Sequence, residues 1–135
     1  MKIHNLLICD DIRAEVGNKI SIMGVYGEEI VMNPNIKLNG PVKLPLAFLF
    51  RFKIEKNEEL PDKFQLEYIL NGKKIAPIYG PIQAGNNQKI ITLIVKVQFF
   101  FEPGPLDLNI KLSKKDKVIF NEAKKQVIML SHGKK

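Results

Sequence analysis

The sequence predicts an all-β fold, a single-domain antiparallel β-sandwich of about eight strands, on three observations. Nearly every apolar stretch alternates with period two or is short and continuous. Gly, Pro and Asn punctuate those stretches at strand-length intervals. Helical spacing is scarce, so no strand alternates with a convincing helix and βαβ folds are excluded. At 135 residues and 45% hydrophobic content the chain is sized for one domain. Such a chain buries about two-thirds of the surface its unfolded form exposes. The sandwich is expected over residues 1–131, with 132–135 a flexible basic tail.

The first strand is expected from Ile3 to Cys9, and Asp10 to Asn18 reads as its connector, turning at Gly17-Asn18. KISIMGVY, Lys19 to Tyr26, is the second strand, and Glu29 to Met32 reads as its continuation past a bend at Gly27. The Pro-rich stretch 33–45 is expected to cross between sheets. Beyond it, Leu44, Leu46, Phe48, Phe50, Phe52 and Ile54 fall on one face of a strand, with Arg51 and Lys53 on the other.

An exposed charged connection, 55–62, precedes a strand from Phe64 to Leu70, whose inward set is Phe64, Leu66, Tyr68 and Leu70. Asn71-Gly72 is a strong hairpin signal, because a type I′ turn needs positive φ at both central residues. The returning strand, Lys73 to Ala76, is expected to stop before Pro77, leaving 78–88 as a loop. Lys89 to Phe101 is the longest apolar run, largely apolar on both faces, which predicts a central strand with a second covered side at Ile90, Ile94 and Phe100. After Glu102-Pro103-Gly104-Pro105 comes a strand with Leu106, Leu108, Ile110 and Leu112 inward. Lys117 to Asn121 and Glu122 to Leu130 complete the set, although consecutive Val127 to Leu130 also admit a weak helical reading over 120–130. This order of strands is that of immunoglobulin-like or C2-like sandwiches, a likeness of fold that carries no function by itself.

Composition narrows the function. The single cysteine permits no internal disulfide and no Cys-based zinc cluster, and two histidines cannot complete a three-histidine metal site. The apolar run Ile3 to Cys9 is too short for a signal-peptide core or a membrane span, so a cytoplasmic protein without a transmembrane segment is expected. The formal charge of +7 is unevenly placed, because residues 1–67 carry nine basic and ten acidic side chains and residues 68–135 carry twelve and four. Only Arg13 and Arg51 among the basic residues have the planar fork that reads guanine edges, and no aromatics are interleaved for base stacking. Sequence-specific nucleic-acid binding is therefore not expected.

The densest polar cluster is Asp10, Asp11, Arg13 and Glu15. Three carboxylates on a loop at one end of a sandwich are candidate ligands for a hard divalent cation, with Glu58 or Asp62 as help from a second loop. The spacing is not that of an EF-hand, and a charged connector neutralised by Arg13 is the simpler reading. Candidate partner-binding residues are Arg13 and the lysines Lys114, Lys115, Lys117, Lys124 and Lys125, which otherwise read as solvated hairpin tips and edge guards. Cys9 reads as a small buried hydrophobe, and His4 and His132 would meet only if the first and last strands pair. No cofactor loop is present: 80–87 lacks the Gly-Lys-Ser/Thr ending of a phosphate cradle.

The segment LLICDDIRAEVGNKISIMGVYGEEIV resembles the opening of an uncharacterised family of small bacterial and phage-borne β-sandwich proteins. Its signature, C-D-D-x-R-x-E-x-G-x-K-x-S-x-x-G, is matched by Cys9, Asp10, Asp11, Arg13, Glu15, Gly17, Lys19, Ser21 and Gly24. The likeness covers roughly the first thirty residues, with only the order of strands similar beyond. It implies a cytoplasmic single-domain sandwich and no activity, since that family is a domain of unknown function.

A non-enzymatic binding or protein-interaction module is thus the leading expectation, with an unknown protein partner or a second copy meeting a sheet face or edge. The alternative is a divalent-metal-dependent binder or small enzyme built on Asp10, Asp11 and Glu15. A weaker alternative is an anionic-surface binder, for nucleic acid or phospholipid, that uses the Lys-rich C-terminal half.

Overall fold

A computed structural model describes residues 1–17, 19–32, 42–85 and 88–132. Nine strands make up the described fold: β1 (Lys2–Glu15), β2 (Lys19–Val25), β3 (Glu29–Met32), β4 (Lys43–Lys53), β5 (Lys63–Leu70), β6 (Lys73–Pro81), β7 (Ile90–Phe100), β8 (Gly104–Lys114) and β9 (Lys117–His132). They form two sheets, in the orders β2-β1-β4-β7 and β3-β9-β8-β5-β6. All pairings are antiparallel except β3 on β9, which is parallel.

Alternation of side chains builds the core directly. Leu46, Phe48, Phe50 and Phe52 of β4 and Ile91, Leu93, Val95, Val97 and Phe99 of β7 face Leu66, Tyr68 and Leu70 of β5 and Leu106, Leu108, Ile110 and Leu112 of β8. Phe50 stacks on Phe52 with ring centroids 5.8 Å apart, and Phe52 meets Phe120 edge-on at 5.5 Å. Tyr68 meets Phe99 at 5.7 Å, tying β5 to β7 across the two sheets. The Asn71-Gly72 turn has φ of 50° and 79°, the type I′ geometry expected there. Lys115-Asp116, with φ of 50° and 64°, makes the same kind of turn without glycine.

Several boundaries differ from expectation for physical reasons. Asp10 to Glu15 is strand, not connector, because β1 continues beyond its last pairing with β4, Cys9↔Ala47, and pairs with β2 as far as Glu15↔Lys19; Asn18 lies outside the described residues. β3 does not continue β2; it passes to the other sheet, where Ile30 is buried and the backbone pairs with β9. β3 and β4 lie in different sheets, but Lys43 to Pro45, expected within the crossing stretch, already pair with β7 as the start of β4, and 33–41 lie outside the described residues. β6 runs through Pro77 to Pro81, which an edge strand tolerates because a missing N–H on its outer side costs no ladder bond. A kink at Gln126, φ 49°, whose N–H donates to Asp107 Oδ1 at 2.7 Å, lets one continuous β9 replace the expected pair of strands and the weak helix. β9 extends through His132, and 133–135 lie outside the described residues.

The largest correction concerns β7. It pairs with β4 alone and is an edge strand of its sheet among the described residues, not a central one. Ile91 to Phe99 on its inner side are buried, whereas Ile94 and Phe100 on its outer side are 37% and 55% exposed.

Candidate interaction site

The polar cluster of the first hairpin resolves into separate contacts. Tyr26 Oη donates to Asp10 Oδ1, and Gly24, at φ 65°, leaves the room that the Asp10 side chain occupies. Burial, with that hydrogen bond second, pushes the Tyr26 phenol up to about 12. Asp11 turns the other way and pairs with Lys96 of β7 at 3.2 Å, with Arg13 3.4 Å from its other oxygen. The hydrogen bond from Lys96, ahead of the backbone N–H of Ile12, holds the Asp11 carboxyl below its ordinary value. Glu15 stands at the tip of the hairpin, opposite Lys19.

These three carboxylates therefore do not converge. Among the described residues no group of three or more His, Cys, Asp and Glu side chains is placed to hold a metal ion. Nor do the expected helpers approach them. Lys2↔Lys53 and Cys9↔Ala47 lie toward opposite ends of the β1–β4 pair, and Glu58 sits at the Lys2 end, where it accepts from the Met1 amine. Asp62 belongs to that same end and accepts the N–H of Lys115 at 3.2 Å.

A second buried cluster explains how the hairpin is held. Cys9, Ile12, Ala47 and Leu49 pack together with Leu7 and Ile22, away from the inter-sheet core. Ile12 and Ile22 are paired across the hairpin, so its distal half leans over the outer face of β4 and brings Asp11 to Lys96. Cys9 is fully buried, its thiol donates to the Ala47 carbonyl at 3.5 Å, and burial pushes its pKa up, which leaves it inert as a nucleophile. β1 and β9 lie in different sheets, so the first and last strands do not pair; His132 instead meets Phe101 edge-on at 5.2 Å.

The basic candidates are scattered. Lys114, Lys115 and Lys117 flank the β8–β9 turn at one end. Lys124 pairs with Glu122 at 3.2 Å and Lys125 with Asp107 at 3.6 Å on β9. Arg13 lies on the first hairpin beside Asp11.

The sequence does not isolate the edge of β7, unpaired among the described residues, or the groove beside it. Lys43, Leu70, Lys73, Ile75, Phe99 and Glu102 line a cavity of about 440 Å³ at the Phe100 end, between the edges of the two sheets. Its walls are mainly apolar, and Lys73 pairs with Glu102 at 3.1 Å on its rim. Lys43 lies over the Phe100 ring, 6.0 Å from its centroid. The signal available in the sequence was the exposed-parity apolar set Ile94 and Phe100, which reads equally well as a covered face. A scan against protein-family models finds no match, and a search of curated proteins finds none.

Proposed function

We propose that this chain is a non-enzymatic protein-interaction module that receives an extended segment along the free edge of β7. One observation carries the reading: an eleven-residue, nearly uncharged strand presents an unpaired edge among the described residues, with Ile94 and Phe100 exposed beside it. Strand addition supplies a ladder of main-chain hydrogen bonds, and the groove at Leu70, Ile75 and Phe99 would take alternate side chains of the incoming segment. The non-enzymatic reading is supported by the burial of the one thiol and by the commitment of Asp10 and Asp11 to Tyr26 and Lys96.

The strand order supports an immunoglobulin-like reading of the sandwich. In such folds three antiparallel strands face a sheet in the order last, penultimate, third and next, as β1-β4-β7 faces β9-β8-β5-β6 here. The resemblance of the first hairpin to the uncharacterised bacterial and phage-borne family fits the same architecture, and the reduced thiol fits a cytoplasmic setting. Selection of binders from a random peptide library tests the proposal. Selected peptides should protect β7 amides from exchange and lose affinity for Ile94→Lys and Phe100→Lys variants. Peptides that bind both variants unchanged and leave β7 unprotected would overturn it.

A further inference from the structure

The β7 edge suits one occupant in particular. Resting on the reading of β7 as a receiving edge, we infer that the occupant is a second copy of this chain, its β7 antiparallel to the first about a two-fold axis at Val95.

Among the described residues four strands border the two sheets, and three of them carry the usual defences of an edge. β6 has Lys73, Lys74, Pro77 and Pro81, with a register shift against β5 between Leu66 and Tyr68. β3 is four residues long. β2 is seven residues, begins at Lys19 and is bent by Gly24 at φ 65°. β7 is neither short nor interrupted by proline or a positive-φ bend. Its pairing with β4 runs from Lys43↔Phe100 to Lys53↔Ile90 without a shift, it contains no proline, and its one charged residue is Lys96. That ammonium pairs with Asp11, on the hairpin that leans over the sheet, at 3.2 Å. A long, flat, apolar edge of this kind pairs with another strand unless something covers it.

The sequence of β7 is complementary to itself over its full length when centred on Val95. A two-fold axis perpendicular to the sheet keeps both inner faces on the same side, so each residue must oppose one of the same parity. Centring on Val95 uses the whole strand, Ile90 to Phe100. On the outer face it sets Ile94 opposite Lys96 of the second copy, Thr92 opposite Gln98, and Ile90 opposite Phe100. On the inner side it sets Ile91 opposite Phe99 and Leu93 opposite Val97, extending the core rows of the two sandwiches. No like charges oppose one another, whereas centring on Lys96 would set two ammoniums face to face. The pairing covers Phe100, 55% exposed in the single chain, and joins two four-stranded sheets into one of eight.

Light scattering across a dilution series of the full chain, with crosslinking of cysteine variants, tests the inference. The wild-type mass should double toward high concentration. Ile94→Lys, which would place two ammoniums opposite each other twice in the dimer, should remain monomeric with an unchanged circular dichroism spectrum. Oxidised mixtures of Thr92→Cys with Gln98→Cys should form the mixed disulfide, because directly opposed residues fall within bridging distance, while each variant alone should not. A monomer at every concentration, a dimer indifferent to Ile94→Lys, or crosslinks in each variant alone would overturn the inference. A monomer whose β7 amides are protected by a selected peptide rejects the second copy and keeps the receiving edge; a β7 protected by neither rejects both.

Discussion

The Asp11 carboxylate and the Lys96 ammonium lie 3.2 Å apart, fastening the first hairpin to the outer face of β7. Because Asp11 is held below its ordinary carboxylate value, the stability it contributes is fully present above the unfolded pKa of about 4 and is lost as pH falls through the lower folded value. Carbonyl chemical shifts should show Asp11 titrating below the usual aspartate range. Lys96→Met should move that midpoint upward; a midpoint indifferent to Lys96 would show that the pair is absent in solution.

Gly24 is fixed both by its backbone and by its neighbour. Its φ of 65° disfavours any Cβ, and an added Cβ would lie 2.8 Å from Asp10 Cγ. Gly24→Ala should therefore cost roughly 1–3 kcal/mol by urea denaturation. The cost should be smaller in an Asp10→Ala background, where the carboxylate contacts are gone and the backbone penalty and a 3.2 Å contact with the Cβ at position 10 remain.

The Tyr26 phenol provides a readout in base. Since its folded pKa is raised to about 12, its contribution is intact below the unfolded tyrosine value of about 10 and declines as pH rises from there through the folded value. Absorbance titration should show one tyrosine ionising near that point and lost in Tyr26→Phe. The same substitution should destabilise the fold by about 1 kcal/mol, the worth of a single hydrogen bond. A Tyr26 that ionises at the ordinary value would mean that Asp10 does not hold it.

The β8–β9 turn should be improvable. Lys115 and Asp116 both adopt positive φ, at 50° and 64°, where Asn and Gly are preferred. Replacing the pair with Asn-Gly should raise stability by up to ~1 kcal/mol, even with the exposed Lys63–Asp116 pair removed. A loss of stability would mean that the surface pair outweighs the backbone gain.

Where apolar side chains recur at every second position toward the core, the sequence was readable. The alternation in β4, β5 and β8 identified their inward residues, Asn71-Gly72 identified its turn, and the apolar setting of Cys9 foretold its burial. Neighbour relations were not legible, because periodicity reports which way a side chain points and not which strand lies alongside. β7 therefore read as central, and β3, whose parallel pairing with β9 has no turn to mark it, read as an extension of β2. The polar run from Asp10 to Glu15 read as a loop because Ile12 is its one buried side chain, too little alternation to mark a strand. The candidate site was hidden for the same reason: the Asp11–Lys96 contact and the β7 edge, unpaired among the described residues, are both products of topology.

Amide hydrogen exchange along β7 at high dilution tests the central claim most directly. An open edge predicts alternation: amides bonded to β4 should be protected, and those between them should exchange rapidly until the protein is concentrated or a binding peptide is added. Uniform protection of Ile90 to Phe100 in the dilute monomer would mean that the chain already covers this edge, and would contradict the account.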